Sequence, residues 1–137
     1  MIAVILIANL NIVVGLISPS PIAYHNSPFP VLNTEPIGPR DGLRLEVNRC
    51  NTSNEPIIVV TTRTLVNIDS GDTESFPPVS SIIPPGCSIY YPIIAPLEPL
   101  PYIPSGRYHY EAITSVTTVF RTYNIVWETQ EFVYHKD

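Results

Sequence analysis

The chain has 137 residues, enough for one domain and a tail but short of two. Seven basic residues against twelve acidic ones leave a net charge of −5, with only 14% of residues charged. A surface of that sign repels a phosphate backbone, so nucleic acid is excluded as an expected partner. Sixteen prolines recur in clusters throughout. Because each fixes φ and removes a backbone donor, a long helix beyond residue 18 is not expected. The stretches between the clusters are rich in Val, Ile, Thr and Tyr, which is β composition.

The chain opens with MIAVILIANLNIVVGLISPSPIAYH, and no Asp, Glu, Lys or Arg occurs before Glu35. Ile2 to Ile17 is apolar except for Asn9, Asn11 and Gly15. As a helix, these residues span ~24 Å, a little short of a bilayer's hydrocarbon core. Three readings compete. A cleaved signal peptide wants basic residues at its start and a small-x-small cleavage site, and both are poor here. A retained membrane anchor fits the length, with Asn9 and Asn11 needing polar partners in lipid. A buried strand fits the β-branched content. The anchor is the preferred expectation, giving an apolar segment over 1–23, a proline-rich linker over 24–41 and a folded domain over 42–137.

Within that domain, Leu43 to Asn48 alternates apolar and polar with period two and predicts a half-buried strand. Asn51 to Pro56 is turn chemistry, and Asn51-Thr52-Ser53 matches the N-glycosylation triplet. Ile57 to Ile68 is a β-branched run suited to a core strand. Ser70-Gly71-Asp72 predicts a turn. Phe76 to Ile83 predicts a short or irregular edge, because Pro77 and Pro78 cannot sit in a central ladder. Pro84-Pro85-Gly86 turns into Cys87 to Ile94. After a proline-rich crossover, Arg107 to Thr118 and Val119 to Thr129 predict a hairpin, followed by a short strand at Glu131 to His135. Such short strands with turns between them define an all-β, antiparallel two-sheet sandwich, a closed barrel being the alternative.

Ile103-Pro104-Ser105-Gly106-Arg107-Tyr108 places a tyrosine at a strand start just after a proline turn. This resembles the tyrosine corner of immunoglobulin-like sandwiches, which implies a Tyr108 hydroxyl bonded a few residues upstream. An immunoglobulin-like sandwich is therefore the expected fold. True immunoglobulin domains carry a cysteine two residues after that tyrosine, and here Tyr110 stands there, so an inter-sheet disulfide is not expected. Cys50 and Cys87 each lie at a strand end beside a turn. A bond between them would close a 37-residue separation and stabilise by about 3–4 kcal/mol on the chain-entropy model. Two free thiols are the alternative.

No catalytic, metal or cofactor motif stands out. His25, His109 and His135 are far apart in sequence, and His109 alternates with Tyr108 and Tyr110, which points its ring toward solvent. Neither cysteine has a motif that supplies a His or Asp partner. The expectation is a non-enzyme with no cofactor. Phe120, Tyr123 and Trp127 form an aromatic group on the final hairpin, of which Trp127 is expected to pack in the core. Tyr90, Tyr91 and Tyr102, held near prolines on irregular backbone, are the candidate contact surface, since aromatic residues are enriched where protein surfaces bind one another.

The layout also resembles a loose class of small phage-encoded proteins. The matching stretches are LEVNRC ending in Arg49-Cys50, RTLV at Arg63 to Val66, IPPGC with Pro84 to Cys87, PSGRYHY with Gly106 to Tyr108, and WETQEF at Trp127 to Phe132. That resemblance implies a membrane-tethered sandwich without established chemistry. Together these readings lead to a non-catalytic, extracytoplasmic domain acting by protein–protein contact and tethered through residues 1–23. The alternative is a virion structural component, such as a minor capsid, tail or decoration protein, whose N-terminal arm is buried between neighbouring subunits.

Overall fold

The computed structural model describes residues 19–94 and 103–136. Among the described residues there is no helix, and therefore none long and apolar enough to cross a membrane. The strands are β1 (Ile22–His25), β2 (Leu43–Arg44), β3 (Val47–Asn51), β4 (Ile57–Asn67), β5 (Thr73–Ser75), β6 (Val79–Ile83), β7 (Gly86–Tyr90), β8 (Ile93–Ile94), β9 (Gly106–Thr117), β10 (Thr122–Glu128) and β11 (Phe132–Tyr134). They build an antiparallel two-layer sandwich.

The larger layer is organised by β4 and β9, which pair from Val59↔Val116 to Asn67↔Tyr108. Beyond β9 lie β10 and β11; beyond β4 lie β6 and β5. The smaller layer runs β1-β3-β7 and is continued by the β2-β8 pair. The Leu45 N–H donates to the Pro92 carbonyl at 3.2 Å and joins the two pieces. Pro92 has no N–H to return to the ladder, which accounts for the break between β7 and β8.

Alternation sets the two faces of each long strand. On β9, Tyr108, Tyr110, Ala112, Thr114 and Val116 are buried, while the residues between them are not. His109 accordingly lies on the outer face. The main core combines Tyr108, Tyr110, Phe132 and Tyr134 with Leu43, Leu45, Val47 and Leu65. Trp127 stacks on Tyr24 with ring centroids 5.5 Å apart and meets Phe29 edge-on, also at 5.5 Å. Its indole N–H donates to the Thr114 hydroxyl at 2.9 Å, and that hydroxyl is 2.8 Å from the Thr61 hydroxyl. A buried indole donor is thereby satisfied without a charge.

Three features differ from the sequence-based expectation. Residues 24–41, expected as a linker, are part of the sandwich. Ile22 to His25 pair with Asn51 to Asn48, and Phe29 and Ile37 are fully buried. The Phe29 N–H donates to the Glu128 carbonyl and the Ile37 N–H to the Val133 carbonyl, both at 2.8 Å, in parallel bridges to the last strands. On the way, Val31 bridges Leu45 of the smaller layer. Pro28 and Pro36, which have no N–H, precede the two donors, so the prolines forfeit no hydrogen bond that this path needs. The expected boundary at residue 23 also moves, because Ile22 and Ala23 lie in β1; residues 1–18, where the anchor, signal and strand readings apply, are outside the described residues. Finally, the second strand of the last hairpin, expected from Val119, begins at Thr122, so Val119 and Phe120 lie before it. They form the β9–β10 turn, in which Thr118 Oγ1 accepts from the Phe120 and Arg121 N–H groups and Phe120 is 73% exposed.

Candidate functional site

The expected contact residues fall on one edge of the smaller layer. Strand β7 pairs with β3 alone among the described residues, and every residue from Gly86 to Tyr90 is exposed. With the segment that follows it, this edge presents Ile89 (51% exposed), Tyr90, Tyr91 (60%) and Ile93 (67%) to solvent. Tyr91 Oη donates to the Glu46 carboxylate at 3.4 Å. Tyr102, the third expected contact residue, lies outside the described residues.

A strand without core contacts needs other support, and Cys50 and Cys87 supply it. They face each other directly in the β3–β7 register and are joined by a disulfide. The bond lies within one layer and fastens the exposed edge to the buried strand β3. Gly86, at φ 97°, follows Pro84 and Pro85 and takes the positive φ that the tight entry into β7 requires.

Beneath that edge the two layers part into a cleft of about 160 Å³. The mouth is flanked by Val79 and Ser81 of β6 and by Tyr90, Pro92 and Ile93; Tyr24, Val47 and Trp127 lie deeper in the lining. Two arginines line it from facing layers, Arg49 on β3 and Arg63 on β4. Arg49 is only 7% exposed and its guanidinium sits 4.0 Å over the Tyr90 ring. That of Arg63 lies 5.7 Å from the Phe76 ring. Neither Nε has a hydrogen-bond acceptor, and neither guanidinium has a carboxylate within ion-pair distance, among the described residues. By contrast, the exposed Arg107 pairs with Asp69 at 2.8 Å and Glu131 at 3.6 Å. The hydrogen bond and charge of Arg107 hold Asp69 below the usual carboxylate range.

Tyr108 Oη donates to the Pro104 carbonyl at 2.5 Å, four residues upstream, the kind of bond that the tyrosine-corner resemblance implies. Burial raises its phenol above the ordinary value, with Asn67 working the other way. Burial raises Tyr110 further, against the opposing charge of Arg63. The Tyr110 hydroxyl is buried without a hydrogen-bond partner among the described residues.

Two groupings have a different standing from the one their sequence spacing gives them. His109, far from the other histidines in sequence, comes together with Glu111 and Glu128, their ligand-type atoms lying within 4.8 Å of one another on the outer face of β9 and β10. His109 Nε2 is 3.2 Å from Glu111 Oε1. Both carboxylates are open to solvent, where water balances their charge. Asn51, the first residue of the glycosylation triplet, is 2% exposed. Its side-chain N–H groups donate to the Glu55 and Ile83 carbonyls, and its oxygen accepts from Ser53. The folded protein offers no free amide there.

The outer face of the larger layer also exposes apolar side chains: Ile58, Val60, Ile82, Ile113 and Val126. Their signal was present in the doubled apolar run of Ile57 to Val60, which leaves one apolar face outward however the strand is set. Thr62, Ser80 and Ser115 interrupt that patch in register.

No protein-family profile matches this chain. No curated protein matches it either. Among solved structures, the C-terminal domain of wzt is similar with a TM-score of 0.51 at 8% identity, over 87% of this chain and 75% of that one. Pseudomonas fluorescens alkylpurine DNA glycosylase AlkC, bound to DNA containing an abasic site analog, gives a TM-score of 0.48 at 12% identity over 91% of this chain. The chain spans 33% of the glycosylase's length. At 8% identity, the likeness to the wzt domain is one of fold alone.

Proposed function

We propose that this chain is a non-catalytic, immunoglobulin-like module that works by protein–protein contact through the β7–β8 edge. The observation that carries the reading is the run Ile89, Tyr90, Tyr91, Ile93, exposed on a strand fastened by a disulfide. Apolar and aromatic side chains gathered in solvent along one rigidly held edge are a mark of a binding surface. The Tyr108–Pro104 bond supports the immunoglobulin-like assignment. The uncharged apolar stretch before residue 18 and the resemblance to small phage-encoded proteins support a tether to a membrane, with the domain outside the cytoplasm. A disulfide suits that compartment.

A second reading is a virion structural protein, favoured by the absence of charge throughout residues 1–34, which suits an arm buried between subunits as well as it suits lipid. Fractionation separates the two. Detergent-dependent extraction of the full-length chain from membranes supports the tether, and sedimentation in large lipid-free particles supports the arm. For the contact surface, a photo-crosslinker at position 91 should capture a discrete partner that one at position 119 does not. Equal capture at both positions would remove the case for this edge.

A further inference from the structure

Two arginines occupy positions that strand alternation reserves for the interior. On β3, Val47, Arg49 and Asn51 share the inner face; on β4, Val59, Thr61, Arg63 and Leu65 share theirs. The chain has seven basic residues against twelve acidic ones, yet it turns two of the seven into one cleft with no carboxylate beside them among the described residues. Packing alone does not call for this, since apolar residues of similar volume commonly serve as well or better at such sites. The rings of Tyr90 and Phe76 support the guanidinium faces, but the in-plane N–H donors need acceptors of their own. Two like charges in a partly dry space also repel each other, and an anion between them relieves both costs.

We infer that this cleft binds a carboxylate, in the form of an acidic side chain on an extended segment of the partner protein; the inference rests on the contact-surface reading above. The planar guanidinium fork matches a carboxylate and can grip it through two parallel hydrogen bonds. A cleft of about 160 Å³ suits one side chain; sites for drug-sized molecules begin at roughly 300 Å³. The free edges of β6 and β7 flank the mouth, each with a single strand partner among the described residues. A segment added along β7 sends alternate side chains toward the cleft, as in other cases of strand addition.

Trp127, the one tryptophan of the chain, lines the cleft and reports occupancy by its fluorescence. The probes are the peptide acetyl-Thr-Val-Glu-Val-Thr-amide and its counterpart with Gln for Glu, titrated against the full-length protein. The Glu peptide should bind at least about tenfold more tightly than the Gln peptide, and Arg49→Met and Arg63→Met should each lose about that factor. Both variants should melt no lower than the parent, which shows that the loss is not unfolding. If either fails to fold, Arg49→Lys serves, keeping the charge while losing the fork and the selectivity that depends on it. Equal binding of the two peptides, undiminished binding to the Met variants, or no response to millimolar Glu peptide overturns the acidic-side-chain site. A response to free acetate equal to that of the peptide overturns the extended-segment part. None of these outcomes touches the crosslinking result at position 91, so the two readings fail separately.

Discussion

The two flanks of the sandwich are closed by opposite means. On the β10–β11 side, residues 26–37 cross from one layer to the other, bury Phe29 and Ile37, and pair with both layers. On the β6–β7 side, two strand edges are left unpaired among the described residues, apolar side chains stand in solvent, and arginines replace core residues. The first flank uses its aromatic residues for cohesion, and the second keeps them available. On the proposed reading, stability and recognition occupy different sides of one small core. This is physically sensible, because a surface that must receive a partner cannot also be filled by its own chain.

The largest effect tests the sealed flank. Phe29→Ala should cost about 3–5 kcal/mol in denaturant unfolding, as expected for a fully buried ring. A cost near zero would restore the linker expectation for residues 24–41. Next comes the staple on the open flank. Replacing Cys50 and Cys87 together by Ser should lower stability by about 3–4 kcal/mol. Hydrogen exchange should then show β7 losing protection before β4 or β9; uniform loss would mean that the edge is held by packing after all.

At high pH the sealed core should weaken in a defined window. Tyr110 has a raised pKa in the fold, so its contribution is intact below the ordinary tyrosine value of about 10 and is lost as pH rises beyond it. The slope contributed is about 1.4 kcal/mol per pH unit, and Tyr110→Phe should flatten it without lowering stability at neutral pH. A smaller loss, about 1 kcal/mol, is expected for Tyr108→Phe, which deletes the hydrogen bond to Pro104. The smallest belongs to the open edge: Ile93→Ser should change stability by no more than about 0.5 kcal/mol while weakening partner capture. A large destabilisation there would show that Ile93 is packed, and the contrast between the flanks would disappear.

Several of these parts were legible in the residues. Alternation in GRYHYEAITSVT set which side of β9 faces inward, and the prolines and glycine before Cys87 announced a strand entry. Tyr90 and Tyr91 stood out because prolines keep aromatic residues off regular core strands. Phe29 and Ile37 were hidden by the same proline signal, since Pro28, Pro30 and Pro36 look like a linker until their neighbours' hydrogen-bond partners are known. Arg49 and Arg63 gave no local warning. Each sits in a strand pattern where an arginine ordinarily lies outside, and only the stacking of the layers turns both to one cleft.

By itself the sequence determined the class of secondary structure, the turns and the inner face of β9. These depend on φ restriction, β-branching and the two-residue period, all of which act locally. Tertiary structure alone decided that a proline-rich segment would seal one flank and that the cysteines would meet across β3 and β7. It also decided that two guanidinium groups would share a cleft with aromatic walls. Those outcomes depend on which strands become neighbours, and neighbours far apart in sequence are chosen by the packing of the whole core.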